Sequence, residues 1–279
     1  KYVGDKLFDI SGQYSGSNPK PEWDQRTGQL IENPENNTTV QTSTSVSSTS
    51  YSSGVINYLN KFGRTGTAYT GRYKTRDPVG ELHYETVRYL QGLAPTPLAI
   101  SKIDSAGEDA DFVLRDGYPA YTSWTDPYGD GRSETADYSC VKSNIVVVGD
   151  VNTHDGNRFP SVDAANNIFS ATDWRNIVVN FEKNITSTYV DGQGANRTTA
   201  NPNGANASVP NSNDRSKLMG SAYWAHTHDI RGASWTAAPA KQRKGLRVKT
   251  FLFDVNEGGS STAYANRSTN NQFFMASKY

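Results

Sequence analysis

The sequence predicts an α/β fold: a doubly wound, mostly parallel sheet with helices on both faces, interrupted by long polar loop and β insertions. Three observations predict it. The run NIVVVGDVNTH at 144–154 is a short β-branched strand that stops at Gly149 and Asp150 before polar residues. A buried parallel strand delivers a carboxylate to its carboxyl edge in this way. A second apolar run at 246–255 comes after two helical segments, and helices alternate with strands along the chain, as crossover connections require.

Taken in order, residues 6–14 alternate loosely and end at small residues, which predicts a strand. Residues 15–53 turn rich in Pro, Asn, Ser and Thr and read as an exposed excursion, with a hairpin around 22–28. A helix begins at Asp77 and Pro78, a capping residue followed by a first-turn proline. Val79, Leu82, Thr86 and Leu90 define its inward face, and Gly92 ends it. The stretch 94–139 reads as a long loop. Beyond the Gly-Asp strand, a helix is expected at 173–184 with Thr172 as cap and Trp174, Ile177, Val178 and Phe181 on one side. Residues 191–214 lack an apolar period and read as a loop. A helix at 216–228 with Leu218, Ala222 and Ala225 inward, the second strand, and a closing helix at 271–279 complete the pattern. No internal repeat or domain boundary interrupts it, so residues 1–279 are taken as one domain with insertions at about 15–53, 94–139 and 191–214.

With 28 basic and 28 acidic residues and no Lys/Arg cluster that could track phosphates, the chain does not read as a nucleic-acid partner. No apolar stretch is long enough to predict a transmembrane segment. Abundant Asn, Ser, Thr and Gly, with 16 tyrosines, suit an extracellular surface protein with polar loops. Cys140 stands alone, which precludes an internal disulfide, and is expected to pack as a small buried side chain. The absence of an initiating Met and of a signal peptide suggests a processed piece of a longer product.

Five motifs occur in order: DPVGELHYETVRYL at 77–90, CVKSNIVVVGDVNTH at 140–154, LMGSAYWAHTHDIR at 218–231, VKTFLFDV at 248–255 and FFMASKY at 273–279. In this order and spacing the chain resembles the amino-terminal region of type IV pilus tip adhesins of the PilY/PilC type. The resemblance implies a von Willebrand factor A-like domain ahead of a β-propeller, at the pilus tip or outer cell surface. Implied roles are pilus assembly, attachment and surface sensing. Implied partners are pilins or minor pilins, the downstream propeller, and a host or abiotic surface receptor.

The resemblance also implies a divalent cation, Mg or Ca, held by three loops. Asp150 matches the third loop, and Asp77 stands where the second carries Thr. Hard cations accept either oxygen. The first loop has no match: the string at Asp9 sits in a strand with no helix after it, so the first strand and its turn are expected upstream of Lys1. Each aspartate has a second reading, Asp150 as a cap of its own loop and Asp77 as a helix N-cap.

Binding is assigned to the insertions, with Trp23, Tyr118, Tyr121, Trp124 and Tyr128 as aromatic anchors. The segment 126–134 alternates oxygen donors but lacks the spacing of a calcium loop and reads as a turn. The expected activity is binding rather than catalysis. Two alternatives are a surface A-type ligand-binding domain unrelated to pili, and a dinuclear metallophosphoesterase built from Asp150, His154, Asp155, Asn157, His226, His228 and Asp229. The latter requires His226 and His228 to converge, although two residues apart on a helix they diverge.

Overall fold

In the computed structural model, residues 3–9, 12–36, 53–61, 78–100, 121–129, 136–149, 155, 170–182, 187–190, 195–199, 217–232, 239–254 and 272–279 are described. The chain divides into two compact units, residues 1–75 with 100–123, and 76–99 with 124–279.

The first unit starts with β1 (Lys6–Phe8) and β2 (Tyr14–Ser17), an antiparallel hairpin. One strand was expected across 6–14; Gly12 at φ 81° turns the chain back instead. The expected turn after Glu22 is present: Asp24 accepts Arg26 and Thr27 N–H through Oδ1, and Trp23 bridges Leu30. Contrary to the reading of 15–53 as exposed, Glu22 is buried. Its two carboxylate oxygens accept the Val55 and Ile56 N–H groups at 2.9 and 2.7 Å, capping helix α1 (Val55–Lys61). Gly54 at the cap position has no side chain to accept these N–H groups, and the cap arrives from 33 residues upstream.

The second unit contains α2 (Val79–Leu90), all but the last residue of α3 (Pro97–Ile100), β3 (Ser143–Gly149), α4 (Ala171–Glu182), β4 (Ser187–Val190), β5 (Asn196–Thr199), α5 (Lys217–Thr227), a 3₁₀ turn, β6 (Val248–Asp254) and α6 (Gln272–Lys278). β3 and β6 pair in parallel from Ser143 opposite Val248 to Gly149 opposite Asp254. β4 and β5 form a hairpin where a loop was expected to begin.

Period 2 sorts the strand residues cleanly. Ile145 and Val248 are buried, and the half-buried Val147 and Leu252 pack beside them against α2, α5 and α6. Asn144, Val146, Val148, Lys249, Phe251 and Phe253 point the other way and are exposed. The described helices thus cover one face of the pair, whereas the sequence predicts cover on both.

Helix faces differ in detail from the expectation. On α2 the inward residues are Val79, His83, Tyr84, Val87 and Arg88, while Leu82 is exposed. The buried stripe runs beside the apolar periodicity because polar His83 and Arg88 are satisfied inside. On α4, Val178 and Val179 are buried but Ile177 and Phe181 are exposed. Its cap is Ser170, whose hydroxyl accepts Asp173 N–H at 3.2 Å, rather than Thr172. α5 is oriented as expected, with Leu218, Ala222 and Ala225 buried. It crosses α4 at Gly220, where a Cβ would meet Ala171 O and lie 2.5 Å from Arg175 N. Cys140 is exposed, contrary to expectation, because it precedes the strand by three residues and sits in a surface turn.

Candidate functional site

The carboxyl edge of β3 and β6 is where an α/β sheet places its ligands. There the chain brings Gly149 against the start of α2: a Cβ on Gly149 would lie 3.1 Å from Val79 Cγ2 and 3.7 Å from Phe273 Cζ. The sequence neighbours of Asp150 and of Asp77 therefore meet at one end of the sheet. Asp150 and Asp77 themselves lie outside the described residues, as do His154 and Asn157. Asp155 is described, and its Oδ1 accepts the Glu81 N–H at 3.0 Å. That bond caps the first turn of α2, whose cap position, Pro78, makes no side-chain bond of its own. Among the described residues no group of three or more His, Cys, Asp and Glu side chains converges.

His226 on α5 and His228 just past its end do not converge. His226 Nδ1 lies 2.9 Å from Tyr279 O, while His228 stacks on Trp224 and meets Trp174 edge-on.

Beneath this edge sits His83, fully buried between α2, α5 and β6. Nδ1 is 2.8 Å from Ser221 Oγ, and Nε2 is 2.9 Å from Thr250 Oγ1. Ser221 donates its hydroxyl to Leu218 O at 3.2 Å, so its oxygen accepts from Nδ1–H and the Thr250 hydroxyl donates to Nε2. Both ring nitrogens are satisfied in the neutral state. Burial lowers the pKa of His83 from 6.5 to about 4.

The far end of α2 is held by Arg231, whose side chain is fully buried. Its guanidinium donates to both oxygens of Asp126, at 2.9 and 2.6 Å, and to Leu90 O through Nε and Nη2 at 3.0 and 2.8 Å. Helix-terminal carbonyls lack partners within the helix, and a guanidinium can serve one of them and a carboxylate together. Gly92, at φ 70°, leaves the room: a Cβ there would lie 2.8 Å from both Arg231 Nη2 and Asp126 Oδ2. Burial pulls the Asp126 pKa upward, but the bonds from Arg231 and the Tyr128 N–H, with the charges of Arg231 and Lys241, outweigh it and leave it lowered.

The aromatic anchors separate into different environments. Tyr128 is 6% exposed; its hydroxyl bonds Ser143 Oγ, its ring packs edge-on against Tyr138 and lies under the Arg231 guanidinium. Expected as an anchor on the binding surface, it packs in the core beside the Arg231–Asp126 pair. Trp124 is half-buried, its Nε1–H donating to Leu93 O at 2.6 Å and its ring edge-on to Tyr89. Trp23 is half-exposed beside Gly4, and Tyr121 is 57% exposed. Tyr118 lies outside the described residues. Sequence reasoning missed His83, Glu22 and Arg231, and read Asp155 as a candidate metal ligand rather than a helix cap. Each finds its partner in a different element, so no local spacing marks it.

A family model described as "PilY1 homolog, second domain" matches residues 16–222, well over half of the chain. The chain belongs to the PilY1-homolog family. One curated relative, a type IV pilus biogenesis factor PilY1 homolog of Xylella fastidiosa (strain Temecula1), is 30% identical over 285 residues. The match covers 100% of this chain and 21% of the relative, so the chain spans about a fifth of that protein's length. No solved structure matches.

Proposed function

We propose that this chain is a surface-displayed binding domain of a type IV pilus factor, supporting pilus assembly, attachment and surface sensing at the pilus tip or outer cell surface. The observation that carries this reading is the alignment of the whole chain with a PilY1 homolog named as a pilus biogenesis factor. A packed α/β unit pinned by His83 and Arg231 supports a binding role, since a rigid scaffold can present variable loops. In this reading the scaffold is of the von Willebrand A type and its partners are pilins or minor pilins, with a β-propeller of the same protein and a surface receptor. No helix among the described residues is long and apolar enough to cross a membrane.

Contact with a receptor falls to Trp23 and Tyr121, the exposed or half-exposed aromatics, since Tyr128 and Trp124 spend their polar atoms inside the fold. Cation binding falls to Asp150 and Asp77, whose carboxylates have the hard-oxygen chemistry for Mg or Ca.

The test is made on cells carrying the full gene with Trp23→Ser and Tyr121→Ser. Pili are expected in normal number with attachment to a surface reduced several-fold; unchanged attachment removes these residues from the contact. Calorimetric titration with Ca²⁺ and Mg²⁺ should give binding lost in Asp150→Ala. Turnover of a phosphodiester with Mn²⁺, abolished by Asp150→Ala, would replace the binding role with a catalytic one.

A further inference from the structure

The outward face of the β3–β6 pair is half apolar and half basic. Toward the carboxyl end, Val146 and Val148 are 69% and 65% exposed, and Phe251 and Phe253 are 54% and 66% exposed. Phe251 stands opposite Val146 and Phe253 opposite Val148, so the four form one contiguous patch. Soluble proteins rarely leave apolar patches larger than a few hundred Å² open. Toward the amino end, exposed Lys142, Asn144, Arg247 and Lys249 continue the same face. Together with His226 they rim a groove of about 320 Å³, and among the described residues no acidic side chain lines it. The counter-charge nearest Arg247 is Asp229, with Oδ1 3.1 Å from Nε.

Strands of a parallel pair are ordinarily covered on both faces, and helices do the covering. Two adjacent strands about 4.8 Å apart make a strip that one helix of about 10 Å diameter covers. From Lys142 to Val148 the strip runs about 20 Å at roughly 3.3 Å per residue, the length of about 13 helical residues. A helix that fits would be apolar over the part facing Val146, Val148, Phe251 and Phe253, and acidic over Lys142, Arg247 and Lys249.

A second copy of this chain fits poorly. A copy seated on the face would set Lys142, Arg247 and Lys249 either against the same cations or against Phe251 and Phe253, and neither pairs the charges. Cover of a parallel sheet belongs to the folded unit itself, and the chain spans only about a fifth of its pilus-factor relative. We propose that this face docks an amphipathic helix with an acidic end, supplied by the same polypeptide outside residues 1–279. The open face and its charge rest on packing alone, while the same-polypeptide source rests on the family match that also carries the pilus reading.

The test is thiol accessibility. In a Cys140→Ser background, Val148→Cys is introduced into residues 1–279 and into the full-length gene product, and the alkylation rate at that position is read by peptide mass spectrometry. The expected result is fast labelling in 1–279 and labelling slowed about ten-fold or more in the full-length protein. Reversing the rim with Lys142→Glu and Lys249→Glu should restore fast labelling in the full-length protein. Val146→Cys, checked by circular dichroism, serves as a second reporter should position 148 perturb folding. Equal fast rates in both proteins overturn the docking, and slow labelling already in 1–279 overturns the assignment to outside polypeptide. Protection that requires a separately added protein overturns the same-polypeptide source. Protection that survives charge reversal overturns the acidic end.

Discussion

Acidification tests the interior of the α/β unit most sharply, through His83. Its neutral ring bonds Ser221 on α5 and Thr250 on β6, and burial holds its pKa at about 4 against 6.5 for the exposed side chain. A folded pKa below the unfolded one means that the unfolded chain binds the extra proton between these values. The stability this group contributes is therefore fully present above pH 6.5 and is lost as pH falls toward 4. One pKa unit corresponds to about 1.4 kcal/mol, so the difference amounts to roughly 3 kcal/mol, a large share of a domain's total stability. Asp126 acts in the same direction but lower down: its lowered pKa protects stability above the ordinary carboxylate value of 3.8 and loses it beneath. The assay is urea unfolding of residues 1–279 from pH 8 to pH 4, with His83→Gln alongside. The wild type should lose stability between pH 6.5 and 4 at up to about 1.4 kcal/mol per pH unit. The variant, less stable at pH 8, should show a flatter profile across the same window. Identical slopes in the two proteins would refute the buried neutral histidine.

Other perturbations address the remaining supports. Arg231→Met strips the partner from Asp126 and from Leu90 O, and should cost about 3–5 kcal/mol in the same unfolding assay. Arg231→Lys should recover little, because an ammonium cannot span carboxylate and carbonyl as the fork does. Gly220→Val forces α4 and α5 apart at Ala171 and Arg175 and should lower stability by about 1–3 kcal/mol or more, with a fall in thermal midpoint. Glu22→Ala uncaps α1 and should cost about 1 kcal/mol, read most directly as faster proteolysis within 53–61.

The sequence made the carrier elements of the α/β unit legible. The strand at 143–149, its partner at 248–254, α2, α5 and the closing helix all occur where the apolar pattern places them, and the strands pair in parallel. Gly92 ends α2 because a left-handed residue is needed where Arg231 comes close. Legibility fails where a polar residue is satisfied at long range. α2 turns its buried side toward His83 and Arg88 rather than Leu82, since hydrogen bonds from other elements make their burial tolerable. Tyr128 reads as a loop aromatic until Arg231, 103 positions away in sequence, draws it inward. α1 was invisible because its cap, Glu22, belongs to a distant turn. At the carboxyl edge of the sheet, Asp150 itself lies outside the described residues, and the capping of α2 by Asp155 has no signature that separates it from any other loop aspartate.

The most direct test of the account is made in the native organism, by removing the coding stretch for residues 1–279 in frame and counting surface pili. If the domain supports type IV pilus assembly, surface pili and attachment should both fall sharply and return when the stretch is restored. Normal piliation together with normal attachment in the deletion strain would contradict it.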